Sequence, residues 1–203
     1  MKILKKVPAI FAIFLLLFST ACVETIVVGS VATGMIATRE KNLSHTRSDI
    51  LISTKLGTKF LENGLKNPGN SVDVTVNEGR VLLTGIVRYE EKAKIASELA
   101  WKVLGVKEVI DEIQLRDDFH AKDISRAFRD YSISLEIESK LLIARKISSA
   151  NYQVTTVGKT VYLLGVASDS AEMQKVLSIS SQVRGVEKVV NHVILASDSR
   201  RNG

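Results

Sequence analysis

Val81-Leu82-Leu83-Thr84-Gly85 is echoed by Val161-Tyr162-Leu163-Leu164-Gly165, and Gly105-Val106-Lys107-Glu108-Val109 by Gly185-Val186-Glu187-Lys188-Val189. In both pairs the second copy stands 80 residues after the first. A constant offset across two separate motifs marks an internal duplication, so the repeated segment is the folding unit. Positions that recur are those the fold needs. Positions that occur in one copy alone are candidates for function.

Working outward, each copy gives one order of elements. In repeat one, from about Ser48, Ile52, Leu56 and Phe60 recur at helical spacing. Asn67-Pro68-Gly69-Asn70 is a turn. Val72, Val74 and Val76 alternate, Gly79 makes a hairpin, and Val81, Leu83 and Gly85 alternate in turn. Ala93, Ala96, Leu99, Ala100 and Val103 mark a second helix, ended by Gly105. Val109, Asp111, Ile113 and Leu115 form the last strand. Repeat two predicts the same series, with Ile137 and Leu141 on its first helix and Gly158 at its hairpin. Asp169 with Glu172 is a capping-box signal for its second helix, which Gly185 ends. The first helices align on Lys55 and Lys140, 85 apart, which leaves five extra residues in the first loop of repeat one.

The class is therefore α+β: two tandem αββαβ units, each a three-stranded mixed sheet covered on one face by two helices. The other sheet face must be wet or meet something. Gly85, Gly105, Gly165 and Gly185 are the expected structural glycines. The expected segments are a leader over 1–21, a tether over 22–47, the two units over 48–116 and 122–196 with a linker over 117–121, and a disordered tail over 197–203.

The leader reads as a secretory signal. Lys2, Lys5 and Lys6 precede an apolar run from Val7 to Phe18, and Ser19-Thr20-Ala21 stands before Cys22. Cys22 is the only cysteine of the chain, so no internal disulfide is possible. A cysteine at the first mature position resembles a bacterial lipoprotein, although Ser19 stands where the usual lipobox has Leu. That resemblance implies acylation of Cys22, palmitate-type chains included. With Val23 rather than Asp next, it also implies the outer membrane, facing the periplasm. Each buried methylene contributes ~0.8 kcal/mol, so several chains anchor stably. The alternative is a plain secreted protein with one thiol. Gly29 and Gly34 have phosphate-loop spacing, but Met35 stands where the lysine must be.

The chain carries a net charge of +6, and loss of the leader removes three lysines and no acid, leaving +3. That mild charge argues against a nucleic-acid partner. His45, His120 and His192 have no metal-ligand spacing, no serine sits in a nucleophile elbow, and carboxylates are scattered rather than paired. The sequence gives no sign of an enzyme, a cofactor, a metal or a small-molecule substrate.

Tandem αββαβ units with hydrophobic-Gly closing the second strand and Gly-Val-x-x-Val before the third resemble BON domains. Asn191 matches the asparagine common in the family's third strand, and Asp111 replaces it in repeat one. The cysteine-anchored form with two units resembles the dual-BON periplasmic lipoproteins of Gram-negative bacteria. This resemblance implies a non-enzymatic protein that binds anionic phospholipid, largely through the first helix of the second repeat, and supports the outer membrane under stress and at division.

The residues bear on this directly. On a helix from Lys122 to Ile147, Ile133, Ile137, Leu141 and Ala144 lie on one side. Ile124, Phe128, Tyr131, Leu135 and Leu142 form a stripe on the other. At the 85-residue alignment repeat one sets Thr46, Ile50 and Gly57 against Tyr131, Leu135 and Leu142. The membrane reading puts the stripe in the headgroup region, with Lys122, Arg126 and Arg129 drawing anionic lipid and Lys140, Arg145 and Lys146 assisting. Asp123, Asp130, Glu136 and Glu138 oppose that attraction. The structural reading packs Phe128 and Tyr131 on repeat one, or has Ser132 and Ser134 break the helix. A protein-interaction module is the alternative function, with open sheet faces or Trp101 docking an envelope or secretion assembly partner.

Overall fold

A computed structural model describes residues 33–202 except 68 and 117–122, with side chains over 46–67, 69–116 and 124–201. The leader, Cys22 and Lys122 lie outside the described residues. Both repeats fall in one compact unit, Thr38–Gly203.

Repeat one runs α1 (Thr33–Glu62), β1 (Lys66–Asn67), β2 (Asn70–Asn77), β3 (Arg80–Val87), α2 (Glu90–Trp101) and β4 (Glu108–Leu115). Repeat two runs α3 (Asp123–Ile143), β5 (Tyr152–Val157), β6 (Thr160–Ala167), α4 (Ser170–Ser181) and β7 (Lys188–Leu195). In each, the first two main strands pair antiparallel and the last adds parallel to the second. The crossover through α2 or α4 is what permits that parallel step. Repeat one has a fourth, two-residue strand, β1, because the turn at 67–70 folds Lys66 and Asn67 onto Ser71 and Asn70.

The two registers are superimposable: Val72 faces Gly85 and Tyr152 faces Gly165. Gly85 has φ +116, and a Cβ there would lie 1.8 Å from the Ser71 carbonyl oxygen. Only a residue without Cβ lets the strands close at that point.

The first-helix alignment is corrected from 85 to 81. Ile52 packs at Gly105 and Ile133 packs at Gly185, each with its Cδ1 3.3 Å from where a glycine Cβ would sit. Asp49 accepts the amides of Glu78 and Gly79 at the first hairpin, and Asp130 accepts those of Gly158 and Lys159 at the second. Ile52, Leu56 and Phe60 in one core thus correspond to Ile133, Ile137 and Leu141 in the other. Repeat one carries one extra residue before its first main strand, not five. Asp111 does the work of Asn191: each side-chain oxygen accepts the amide two residues on, from Ile113 and Val193. That bond needs only an acceptor, so aspartate serves.

The second sheet faces meet each other. Leu82 on β3 packs with Tyr162 and Leu164 on β6 and Val157 on β5, flanked by Ile86, Ile110 and Val190. The unit is a four-layer stack, helices, sheet, sheet, helices. The expectation of open sheet faces that dock a partner is overturned, because each sheet is the other's partner. Thr75 Oγ1 lies 3.2 Å from Thr155 Oγ1, and His192 Nε2 lies 3.0 Å from Glu112 Oε1. Both pairs join equivalent positions, 80 apart, so the repeats are related by an approximate twofold axis, as in an isologous interface. Gln114 adds bonds to the Val157 carbonyl and the Tyr162 hydroxyl, and Arg80 donates to the His192 carbonyl.

The tail, expected to be disordered, forms a short 3-10 turn over Ser199–Asn202 that fastens onto repeat one. Arg201 grips the Glu78 carboxylate with two nitrogens, each at 2.7 Å, and Arg200 reaches Glu108 at 3.4 Å. Bidentate guanidinium–carboxylate pairing fixes geometry as well as charge.

Candidate functional site

α3 is one unbroken helix, so Ser132 and Ser134 do not break it. The Ser132 hydroxyl donates back to the Phe128 carbonyl, and Ser134 pairs with Thr156 of β5. Its inward face, Ile133, Ile137 and Leu141, is buried in the second core.

The outward stripe is open. Phe128 is 72% exposed, Tyr131 62%, Leu142 73%, and Ile124 and Ile143 more so, while Leu135 is 43% exposed. Phe128 and Tyr131 are therefore not buried against repeat one, although Tyr131 borders the cleft that α3 forms with it. From Ile124 to Leu142 the stripe extends along about 27 Å of helix, interrupted by Glu138. The 81-residue alignment revises the contrast with repeat one. Tyr131 and Leu142 have exposed apolar counterparts in Ile50 and Leu61. What repeat two alone carries is Phe128 for Arg47, Leu135 for Thr54 and Ile143 for Glu62.

The charges sort differently from their listing in sequence. Both Asp130 oxygens are taken by the β5–β6 hairpin amides, so this acid faces away from the stripe. Glu136 pairs with Lys140 at 3.4 Å on the exposed surface, an i,i+4 contact of about 0.3–0.5 kcal/mol. Partial burial pushes the Glu138 carboxyl above its ordinary range. Arg126 lines the cleft beside α3, Arg129 is exposed, and Arg145 and Lys146 are exposed just past the helix.

The end of α3 is held by α4. Glu172, at the third position of α4, accepts the Ser148 amide at 2.7 Å and the Ser168 amide at 2.8 Å, while Asp169 caps the helix through the Glu172 amide. Burial pushes the Glu172 carboxyl up, but the Ser168 hydroxyl and the two amides outweigh it and hold it below its ordinary range. A carboxyl depressed in the folded state adds stability that is complete above the unfolded value and is lost as pH falls through the folded one. Glu172→Gln is expected to cost about 1–3 kcal/mol at neutral pH and to flatten the acid limb of stability. Urea titrations at a series of pH values below neutrality check this.

Trp101, 56% exposed, lies at the end of α2, away from the sheet interface. Gly85 and Gly165 sit at the strand crossings and Gly105 and Gly185 beside the first helices. Among the described residues no helix is long and apolar enough to cross a membrane, and no group of three or more His, Cys, Asp and Glu is placed to hold a metal.

Fold and surface together define a duplicated αββαβ protein whose two sheets close on each other and whose α3 presents an apolar stripe to solvent. The BON domain family model matches residues 48–117 and 129–197. The chain belongs to the BON domain family, with two copies of the domain. It is 36% identical over 154 residues to an "Uncharacterized protein in gshII 5'region" of Anaplasma centrale, covering 75% of this chain and 98% of that one. It is 24% identical over 174 residues to the outer membrane lipoprotein DolP of Haemophilus influenzae, covering 86% and 88%. A third relative, a 21 kDa hemolysin of Actinobacillus pleuropneumoniae, is 30% identical over 119 residues, 59% of each chain.

Proposed function

We propose that this protein is an outer-membrane-anchored periplasmic lipoprotein, held by acyl chains on Cys22, that rests the outward stripe of α3 on anionic phospholipid and supports envelope integrity. It acts by binding, not by catalysis. The observation that carries this reading is the exposure of Phe128 and Tyr131 on an ordered helix whose other face is fully occupied. An amphipathic helix of this kind lies in the headgroup plane with its apolar side down. The likeness to an outer membrane lipoprotein over most of both chains supports the location. Closure of the two sheets removes the surface on which the protein-docking alternative chiefly relied.

The test is Phe128→Glu with Tyr131→Glu in the chain from Val23 onward. Each side chain forgoes about 1.5–3 kcal/mol of apolar burial, so binding to vesicles containing phosphatidylglycerol is expected to fall about a hundredfold or more. The thermal midpoint is expected to hold, because both residues are exposed. Cosedimentation and a thermal melt read the two quantities. Undiminished binding refutes the assignment.

A further inference from the structure

Trp101 is the sequence candidate that the α3 stripe does not absorb, and it does not stand alone. Ile52 of α1 lies against Gly105, its Cδ1 3.3 Å from where a Cβ would sit. That contact sets Leu51, next to Ile52, and Leu104, next to Gly105, at the same end of the α1–α2 layer, where Trp101 closes α2. Leu51 is 60% exposed, Trp101 56% and Leu104 90%. Val103, between the last two, is buried in the first core, so the chain that carries them is anchored. Arg47 and Lys55 stand one turn to either side of Leu51, Lys102 follows Trp101, and all three are exposed. Glu98, one turn before Trp101, is exposed as well, which leaves three cations against one acid.

The second repeat is an internal control. On its first helix Ser132 stands for Leu51 and Glu136 for Lys55. After its second helix begins to end, Ser181 stands for Trp101, Gln182 for Lys102 and Arg184 for Leu104. All five counterparts are exposed. The same place on the same fold is polar there, so folding does not require the apolar group of repeat one. An exposed tryptophan and leucines inside a polar rim have the composition of an interface centre.

Charge and direction select the occupant. α1 and α2 cover the outer face of the first sheet, the helices of repeat two cover the outer face of the second, and both sheets lie between them. A flat bilayer under α3 cannot also meet Trp101. A second copy docked patch to patch would set Arg47, Lys55 and Lys102 against their own kind, and like charges across an interface are costly. A protein segment with an apolar side chain among carboxylates matches both the apolar centre and the positive rim.

We infer that Leu51, Trp101 and Leu104 dock a protein partner through an acidic segment with an apolar anchor, on the side of the molecule turned away from α3. With α3 on lipid, as proposed above, this face points into the periplasm; its chemistry stands without that.

To test this, the chain from Val23 onward is panned against a library of short random peptides, and the best binder is carried into titrations. The enriched peptides are expected to combine Asp or Glu with Leu, Phe or Trp. Leu51→Ser with Trp101→Ser, each the residue that repeat two carries, is expected to weaken the best binder about tenfold or more, with the fold intact by circular dichroism. Lys102→Gln is expected to weaken it about threefold and to flatten its salt dependence. Phe128→Glu with Tyr131→Glu is expected to leave peptide binding unchanged, so failure of this surface and failure of the membrane reading are separate results. No enrichment, enrichment of peptides without acids, or equal binding by Leu51→Ser with Trp101→Ser overturns the docking surface. Sedimentation showing a wild-type dimer that this double variant loses overturns it in favour of a second copy. Loss of binding to phosphatidylglycerol vesicles in the same variant overturns it in favour of a lipid surface.

Discussion

Gly85→Ala is expected to unfold repeat one at temperatures where the wild type is intact. The added carbon would fall 1.8 Å from the Ser71 carbonyl oxygen, on backbone that the β2–β3 ladder holds in register. It would also occupy φ +116, where a residue with a side chain is strained. Neither strand can retreat, because β3 is central in its sheet, between β2 and β4, and buried on both faces. The cost is about 4 kcal/mol or more, comparable to the whole stability of a small domain. Gly57→Ala is the matched control. It sits in the interior of α1 with nothing within 4 Å of the added carbon, and is expected to stabilise by up to about 1 kcal/mol. Urea denaturation followed by circular dichroism separates the two outcomes. A Gly85→Ala protein with wild-type stability would mean the strand crossing is looser than the register implies.

Leu82→Asp is expected to pull the repeats apart while leaving each one folded. Leu82 is fully buried between the sheets, against Tyr162, Leu164 and Val157. It has no part in either helix-facing core, and those two cores are separate clusters. Truncating such a leucine costs about 2–5 kcal/mol, and a carboxylate in a dry interface adds a desolvation penalty. The damage is confined to the sheet-to-sheet layer. Calorimetry is expected to show one transition in the wild type and two in the variant, both lower. Vesicle binding through α3 is expected to persist, since the stripe faces away from the interface. A single cooperative transition in Leu82→Asp would mean that the repeats communicate by another route.

The duplication was legible because strands and glycines tolerate no slippage. Val72 against Gly85 and Tyr152 against Gly165 keep the offset of 80 through turn, strand and crossing. The first helices misled because an apolar stripe of period near four residues fits itself one turn along. Ile52 and Leu56 match Ile137 and Leu141 almost as well as they match Ile133 and Ile137. The signal that resolves it lies in the chain: Asp49-Ile50-Leu51-Ile52-Ser53 aligns with Asp130-Tyr131-Ser132-Ile133-Ser134 in aspartate, isoleucine and serine. The aspartate is decisive physically, because it must reach two hairpin amides. Sheet-to-sheet packing was also written in the sequence. A strand with apolar residues on both faces, as in Val81-Leu82-Leu83 and Val161-Tyr162-Leu163-Leu164, is buried on both. The exposed stripe was visible from its spacing. The cleft beside α3 was not, since it joins Ser71 and Ile86 of one repeat to Asp130 and Val154 of the other, which only the twofold packing brings together.

That packing has a consequence for how such a molecule can be assembled. Where an axis sets a position against its own copy, identical halves would set like against like. Two glutamates at the place of Glu112 and His192 would confront each other at about 3 Å and resist ionising together. Divergence at this one spot turns self-repulsion into recognition between unlike halves. The protein is thus best understood as a heterodimer written on a single strand of peptide, in which neither half is a spare of the other.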